Sequence, residues 1–343
     1  MRWFVTGGAG FIGANTVRRL LDEGHEVVVF DNLSRPGSEK NLDWLRQGRG
    51  ALTFVRGDVR NAAEIRHALA DGPTWDVVLH FAAQVAVTTS VTDPRLDFEI
   101  NALGTFNLLE AVRDLGADPV LLYTSTNKVY GALERHNVVR QGDRYVFERL
   151  PQGVNESAGL DFYSPYGCSK GSADQYVRDY RRIYGLRTIV FRNSCIYGPR
   201  QFGIEDQGWL AWFVIAAVLG RPITIYGDGR QVRDVLFVDD LIEAMLTAVR
   251  RPEVAAGEVY NIGGGPGNAF AVWTEFGPLL EKLLGHPVPV EHADWRPGDQ
   301  KVFISDISKA ERDLGWRPKV HVEEGIGRLV AWVRENRTLF AQV

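Results

Sequence analysis

The chain has 343 residues, of which 45% are apolar and 24% charged, and its net charge is -4. That length accommodates one large α/β unit with a smaller satellite, and the acidic balance argues against an extended nucleic-acid-binding surface. Two cysteines, Cys168 and Cys195, are too few for a disulfide scaffold or a multi-thiolate site, so no metal is expected.

Arg2 to Thr6 is the first predicted strand, with no signal-peptide pattern before it, and the chain is expected to be soluble and cytoplasmic. Ile12 to Gly24 has apolar residues at helical spacing, and His25 to Phe30 is a β-branched run too short for a helix. Leu52–Val55, Val77–Phe81, Val120–Thr124 and Thr188–Arg192 continue the series of strands separated by helical stretches. This rhythm predicts a Rossmann-type, doubly wound parallel sheet, which binds ligands beyond the carboxyl ends of its strands. After Asn193 the rhythm changes. Tyr197 to Gln207 reads as a loop, an apolar helix follows from Gly208, a strand and turn cover Thr224 to Gly229, and Gly257 to Ile262 returns to the sheet. The longest apolar stretch, Trp209 to Leu219, falls short of the roughly 20 residues that a membrane-spanning helix needs. The last third reads as helical with loops. The expected division is a dinucleotide-binding domain over 1–192 with a return segment 233–262, and an interleaved C-terminal substrate domain over 193–232 and 263–343.

Gly7, Gly10 and Gly13, with Phe11 and Ile12 between them, lie between the first strand and the first helix. Glycines there let a backbone approach a pyrophosphate, and the helix N-terminus supplies amide donors and partial positive charge. A tight turn without ligand would carry the same residues, but Asp31 ends the second strand near the roughly 20-residue distance at which an acid holds the adenosine ribose. Asp31, with Asn32 beside it, favours NAD over NADP because a carboxylate repels a 2′-phosphate. Arg35 is close enough to pull the other way.

Tyr166 and Lys170 are four apart, on one face of a predicted helix. An ammonium beside a phenol favours the phenolate and makes a base of a side chain that otherwise titrates near ~10. The third member is expected at the end of the strand Val120–Thr124, where Thr124, Ser125 and Thr126 all offer a hydroxyl.

These motifs together resemble the extended short-chain dehydrogenase/reductase family. Asp58-Val59 after the third strand, His80-Phe81-Ala82-Ala83 after the fourth, and Thr126-Asn127-Lys128-Val129-Tyr130-Gly131 carry the likeness across nearly the whole chain. The resemblance implies that Asp58 and Val59 reach the adenine, that Phe81, Ala82 and Ala83 line the cofactor groove, and that Asn101 braces the active site, where a buried structural Asn would look the same. It implies a catalytic set of Thr126, Tyr166 and Lys170. It also implies a nucleotide-sugar pocket holding Asn127, Asn193, Gln207, Tyr226, Arg233, Arg296 and Asp299, the two Arg forks suiting a diphosphate. Sugar 4,6-dehydratases of the family carry an Asp-Glu pair where this chain has Asn127-Lys128, so the elimination chemistry is missing. The Asn-Lys pair, Ser164-Pro165-Tyr166-Gly167-Cys168-Ser169-Lys170 and Asp206-Gln207-Gly208-Trp209 resemble the CDP-tyvelose (CDP-paratose) 2-epimerase branch. That likeness implies an NAD-dependent epimerase acting at C2 of a CDP-sugar, while the charge balance and the short apolar stretch predict no nucleic-acid or membrane partner. It also implies a homodimer paired through Leu103–Asp114 and Lys170–Tyr184. A UDP-hexose 4-epimerase using the same groups is the nearest alternative. A non-catalytic dinucleotide sensor is the more distant one, since it would have no need of the Tyr/Lys pair.

Overall fold

The computed structural model describes residues 1–72, 74–296 and 299–340. Seven strands form the main sheet: β1 (Arg2–Thr6), β2 (Glu26–Asp31), β3 (Ala51–Arg56), β4 (Val77–His80), β5 (Val120–Thr126), β6 (Thr188–Asn193) and β7 (Val259–Ile262). They lie in the order 7-6-5-4-1-2-3, and every pairing is parallel. A parallel sheet covered on both faces needs continuous apolar strands. β1, β4, β5, β6 and β7 are accordingly buried along almost their whole length. The strand order reverses between β1 and β4, and there the chain turns outward at Gly7 and Phe81, whose amides bond to Phe30 O at 2.9 Å and Thr6 O at 3.0 Å. A crevice at that reversal is the fold's ready-made ligand site.

The remaining chain builds a smaller part. Val232–Phe237 pairs with Cys195–Tyr197, Ala269–Ala271 and Val302–Phe303, and Ile223–Tyr226 pairs with Val290–Ala293. The return segment expected over 233–262 therefore joins the main sheet only through β7, while its first strand belongs to the smaller sheet. The last third also departs from the helical expectation by these three short strands, each of two to four residues. The apolar helix Trp209–Leu219 is buried on nearly every side, as a helix without a polar face must be. Its Phe213, Val214 and Ile215 share one core with Val5, Val17, Phe237 and Ile326, so the smaller part packs on the sheet through continuous apolar contact. Among the described residues no helix is long and apolar enough to cross a membrane.

Candidate active site

A long groove runs along the carboxyl edge of the main sheet, and it begins at the glycine turn. Gly7 has a φ of 67°, and a Cβ on it would meet the Ala82 amide at 2.5 Å. A Cβ on Gly13 would collide with the Gly7 carbonyl, so both glycines are required by the turn itself. Gly10 differs. A Cβ there would touch only Gly7 O, at 3.2 Å, and otherwise face the open groove. Gly10 also caps the helix Phe11–Asp22 with no side chain on the first amides, which leaves them to an anionic ligand.

Phe11, Ile12, Asp31, Asn32, Asp58, Val59, Phe81, Ala82 and Ala83 all line this groove. The Asp31 carboxylate accepts from Ala9 N at 3.0 Å and Leu33 N at 2.8 Å, which fixes it at the end of β2 while burial pushes its pKa up. Asn32 donates to Asp58 at 3.0 Å, and the Arg60 guanidinium, bonded to the same carboxyl, holds Asp58 down at about 2. Asn101 is not a lining residue. It sits 1% exposed behind the wall, where its Nδ2 donates to Gln84 O, Asp97 Oδ1 and Ser169 Oγ at 3.0 to 3.1 Å.

Thr126, Tyr166 and Lys170 also line the groove. The helix Ser164–Tyr184 carries the last two, entered through Ser164 at a φ of 69° and Pro165 in its first turn. Four-residue spacing puts both on the buried face, at 7% and 3% exposure. Lys170 Nζ donates to Thr124 O at 2.7 Å and lies 4.3 Å from the centroid of the Tyr123 ring. Burial lowers its pKa to about 7, opposed by Asp174 and Asp97. Burial raises Tyr166 to about 12, opposed by the neighbouring Thr126 hydroxyl. His80, bonded to Thr6 at 2.7 Å and Thr105 at 2.9 Å, is pushed by burial down to about 3 and stays neutral behind the pair.

The residues expected at the sugar nucleotide divide into groups. Asn193 and Gln207 line the groove, and Asn193 Oδ1 is buried without a partner among the described residues. Asn127, also buried, receives a 3.3 Å bond from the Thr126 hydroxyl and does not line the groove. Arg233 pairs with Asp299 at 2.6 Å in the smaller part. Arg296 pairs with Asp206 at 3.0 Å and covers the Tyr226 ring at 3.9 Å, and Tyr226 bonds Glu205 at 2.9 Å. Pro297 and Gly298 of that segment lie outside the described residues. Several lining residues escape the sequence reading: Asn41, Arg200, Gln201 and Phe202. Arg35 is among the surprises too, reaching Gln207 at 2.8 Å rather than standing free as a phosphate ligand. No short-range pattern marks that contact, since its partners are 172 residues apart.

The arrangement offers uncapped helix amides at the glycine turn, a fixed carboxylate at Asp31, a hydroxyl-phenol-ammonium set and an unpartnered amide oxygen beside it. These are the groups that a dinucleotide and an alcohol substrate require. Among the described residues no cluster of His, Cys, Asp or Glu could hold a metal ion.

The profile of the family described as GDP-mannose 4,6 dehydratase matches residues 4–329. A CDP-paratose 2-epimerase from Salmonella typhi is 44% identical over 97% of this chain and 99% of its own length. Among solved structures, a UDP-glucose 4-epimerase from Thermotoga maritima with UDP-glucose aligns at a TM-score of 0.84 and 34% identity, covering 98% of this chain and 100% of that one. A dTDP-glucose 4,6-dehydratase from Streptomyces venezuelae, with NAD and TYD bound, aligns at a TM-score of 0.84 and 33% identity, covering 98% of both chains.

Proposed function

Because the chain belongs to the GDP-mannose 4,6 dehydratase family of extended short-chain dehydrogenases/reductases, we propose that it is an NAD-dependent epimerase inverting C2 of a CDP-linked hexose. CDP-paratose and CDP-tyvelose are the favoured pair, with CDP-glucose and CDP-mannose as a further one. The cofactor is NAD, held by Gly7, Gly10, Gly13, Asp31, Asp58 and Ala82 along the groove. When bound, it would supply reversible hydride acceptance at C2, and the positive charge of its oxidised ring would favour the phenolate of Tyr166.

One observation carries the reading. The complete Thr126/Tyr166/Lys170 set stands in a groove whose only described lining carboxyls are Asp31, the last residue of β2, and Asp58, just beyond β3. Elimination of water from a sugar needs a proton donor and acceptor at the sugar, and Asn127-Lys128 supplies no carboxyl there. Oxidation followed by reduction is what remains. The higher identity to a 2-epimerase than to the 4-epimerase and dehydratase structures supports C2 as the centre.

In this account Tyr166 takes the proton of the C2 hydroxyl, steered by Thr126, while Lys170 offsets the phenolate charge. Asn193 and Gln207 hold the nucleotide-sugar side of the groove. Arg233 and Arg296 serve the diphosphate, Asp299 the ribose, and Tyr226 the nucleoside. The 2-keto sugar turns in the pocket, presents its other face, and regains its proton from Tyr166. The segments 193–232 and 263–343 form the sugar-nucleotide part, and the molecule works as a homodimer.

The test offers purified protein CDP-paratose, CDP-glucose and UDP-glucose in separate reactions and follows each sugar ring by NMR. Inversion at C2 of a CDP-sugar is the expected outcome. Conversion of UDP-glucose to UDP-galactose, with the CDP-sugars untouched, would transfer the case to the 4-epimerase reading.

A further inference from the structure

The sheltered side of the Tyr166/Lys170 helix faces a carboxyl that the chemistry above does not use. Asp97 belongs to the short helix Pro94–Phe98 and is fully buried, outside the residues that line the groove. Its Oδ1 accepts from Gln84 Nε2 at 2.9 Å and from Asn101 Nδ2 at 3.0 Å, and its Oδ2 from Ser169 Oγ at 2.5 Å. Each neighbour donates. An acceptor-only role is the one an ionised carboxylate takes, because a protonated carboxyl would need an acceptor of its own. Ser169 adjoins Lys170 in sequence, so the shortest of these bonds also ties the carboxyl to the catalytic helix.

A buried carboxylate needs a compensating charge, and among the described residues Asp97 makes no ion pair. Lys170 has the complementary need. Its direct contacts are the Thr124 carbonyl and the Tyr123 ring face, neither of which carries a full negative charge. Asp174, on the same helix, is already engaged: Arg192 holds both its oxygens at 2.9 Å, and Ser125 donates to it at 2.8 Å. Asp97 is thus the carboxylate near Lys170 that has no cation of its own.

We propose that Asp97 is a positioning residue whose buried negative charge keeps Lys170 an ammonium and thereby sets the proton balance of Tyr166. The inference rests on the assignment of Tyr166 and Lys170 as the reacting pair. Asp174 and Asp97 raise Lys170 against the lowering by burial, and Asp97 also raises Tyr166. The titratable and charged groups around the pair are Asp97 from its short helix, Asp174 from the catalytic helix, His80 at the end of β4, Tyr123 on β5, and Arg35 facing Tyr166. His80 is neutral, so the two aspartates supply the negative charge. Loss of the Asp97 charge lowers both pKa values, and both limbs of the pH profile move toward acid.

The test uses protein labelled with [13Cε]lysine. The chain has seven lysines, and the Lys170 signal is identified by its loss in Lys170→Arg. The titration midpoint of Lys170 falls by about one pH unit in Asp97→Asn and returns toward the wild-type value in Asp97→Glu. Should the Asn variant not fold, Asp97→Ser removes the same charge with a smaller side chain. An unmoved midpoint in a folded neutral variant, even one of low activity, overturns the proposal and leaves Asp97 a packing residue. The measurement needs no substrate. If the wild-type protein ignored every CDP-sugar, the substrate assignment would fall while Lys170 still judged Asp97.

Discussion

Tyr166 and Lys170 are each pushed by burial toward their neutral forms, to about 12 and about 7. A phenol so placed is a weak acid until positive charge arrives beside it, so the resting site is held short of reactivity. Tyr166→Phe removes the proton acceptor and leaves the ring's packing in place. Its kcat is expected to fall by about 10²- to 10⁴-fold, the usual worth of a general acid-base group, with KM little changed; a kcat within a few-fold of wild type would mean another group takes the proton. His80 gives a second test, of stability. Its folded pKa is about 3 against 6.5 in an open chain. Between those values the unfolded chain binds the additional proton, so this group's contribution is lost as pH falls from about 6.5 toward 3. The Tm of the wild-type protein should therefore drop more steeply over pH 6.5 to 4.5 than that of His80→Gln, and parallel curves would refute the neutral-imidazole account.

At the scale of elements, residues 199–208 form a strap across the groove. Asn15 donates to Pro199 O at 3.0 Å, Asn41 to Arg200 O at 3.3 Å, and Arg35 to Gln207 at 2.8 Å. Phe202 lies against Gly37, whose φ of 85° and lack of a Cβ make room for the ring. Cutting the Arg35 contact by Gln207→Ala removes a charge-assisted bond at little cost to the core. About tenfold faster release of NAD is expected, read by fluorescence as the cofactor leaves, and an unchanged rate would show that the strap does not hold it. The sequence makes the two ends of this element visible but not their meeting. β1 and β4 through β7 are legible because strands buried on both faces become apolar runs, and the helix of Tyr166 and Lys170 is legible from that pair once the glycine turn and the hydroxyl-bearing strand precede it. Ala269–Ala271, Val290–Ala293 and Val302–Phe303 are too short to display a period. The Arg35–Gln207 and Asp97–Ser169 bonds join residues 172 and 72 positions apart, a distance at which local pattern carries no information.

On the scale of the whole molecule, six large apolar side chains stand exposed on or beside two neighbouring helices. Phe98, Leu103, Phe106, Tyr176, Ile183 and Tyr184 are all exposed. Most of them lie on the helices Gly104–Asp114 and Ser164–Tyr184 or just before the former, and Phe106 and Tyr176 contact each other across these helices at 5.8 Å. An apolar patch rimmed by polar residues marks an association surface. A charge placed there by Ile183→Asp is expected to convert a dimer into a monomer by light scattering, and a wild-type mass equal to one chain would remove the homodimer. The catalytic helix runs through this face, so association would buttress the element on which Tyr166 and Lys170 stand. The proposed chemistry turns on one carbon in that site. The most direct measurement supplies CDP-glucose deuterated at C2 in ordinary water and follows C2 by NMR and mass spectrometry. Internal hydride return predicts CDP-mannose with the deuterium still at C2; inversion with the label lost to solvent, or with the change at C4, would contradict it.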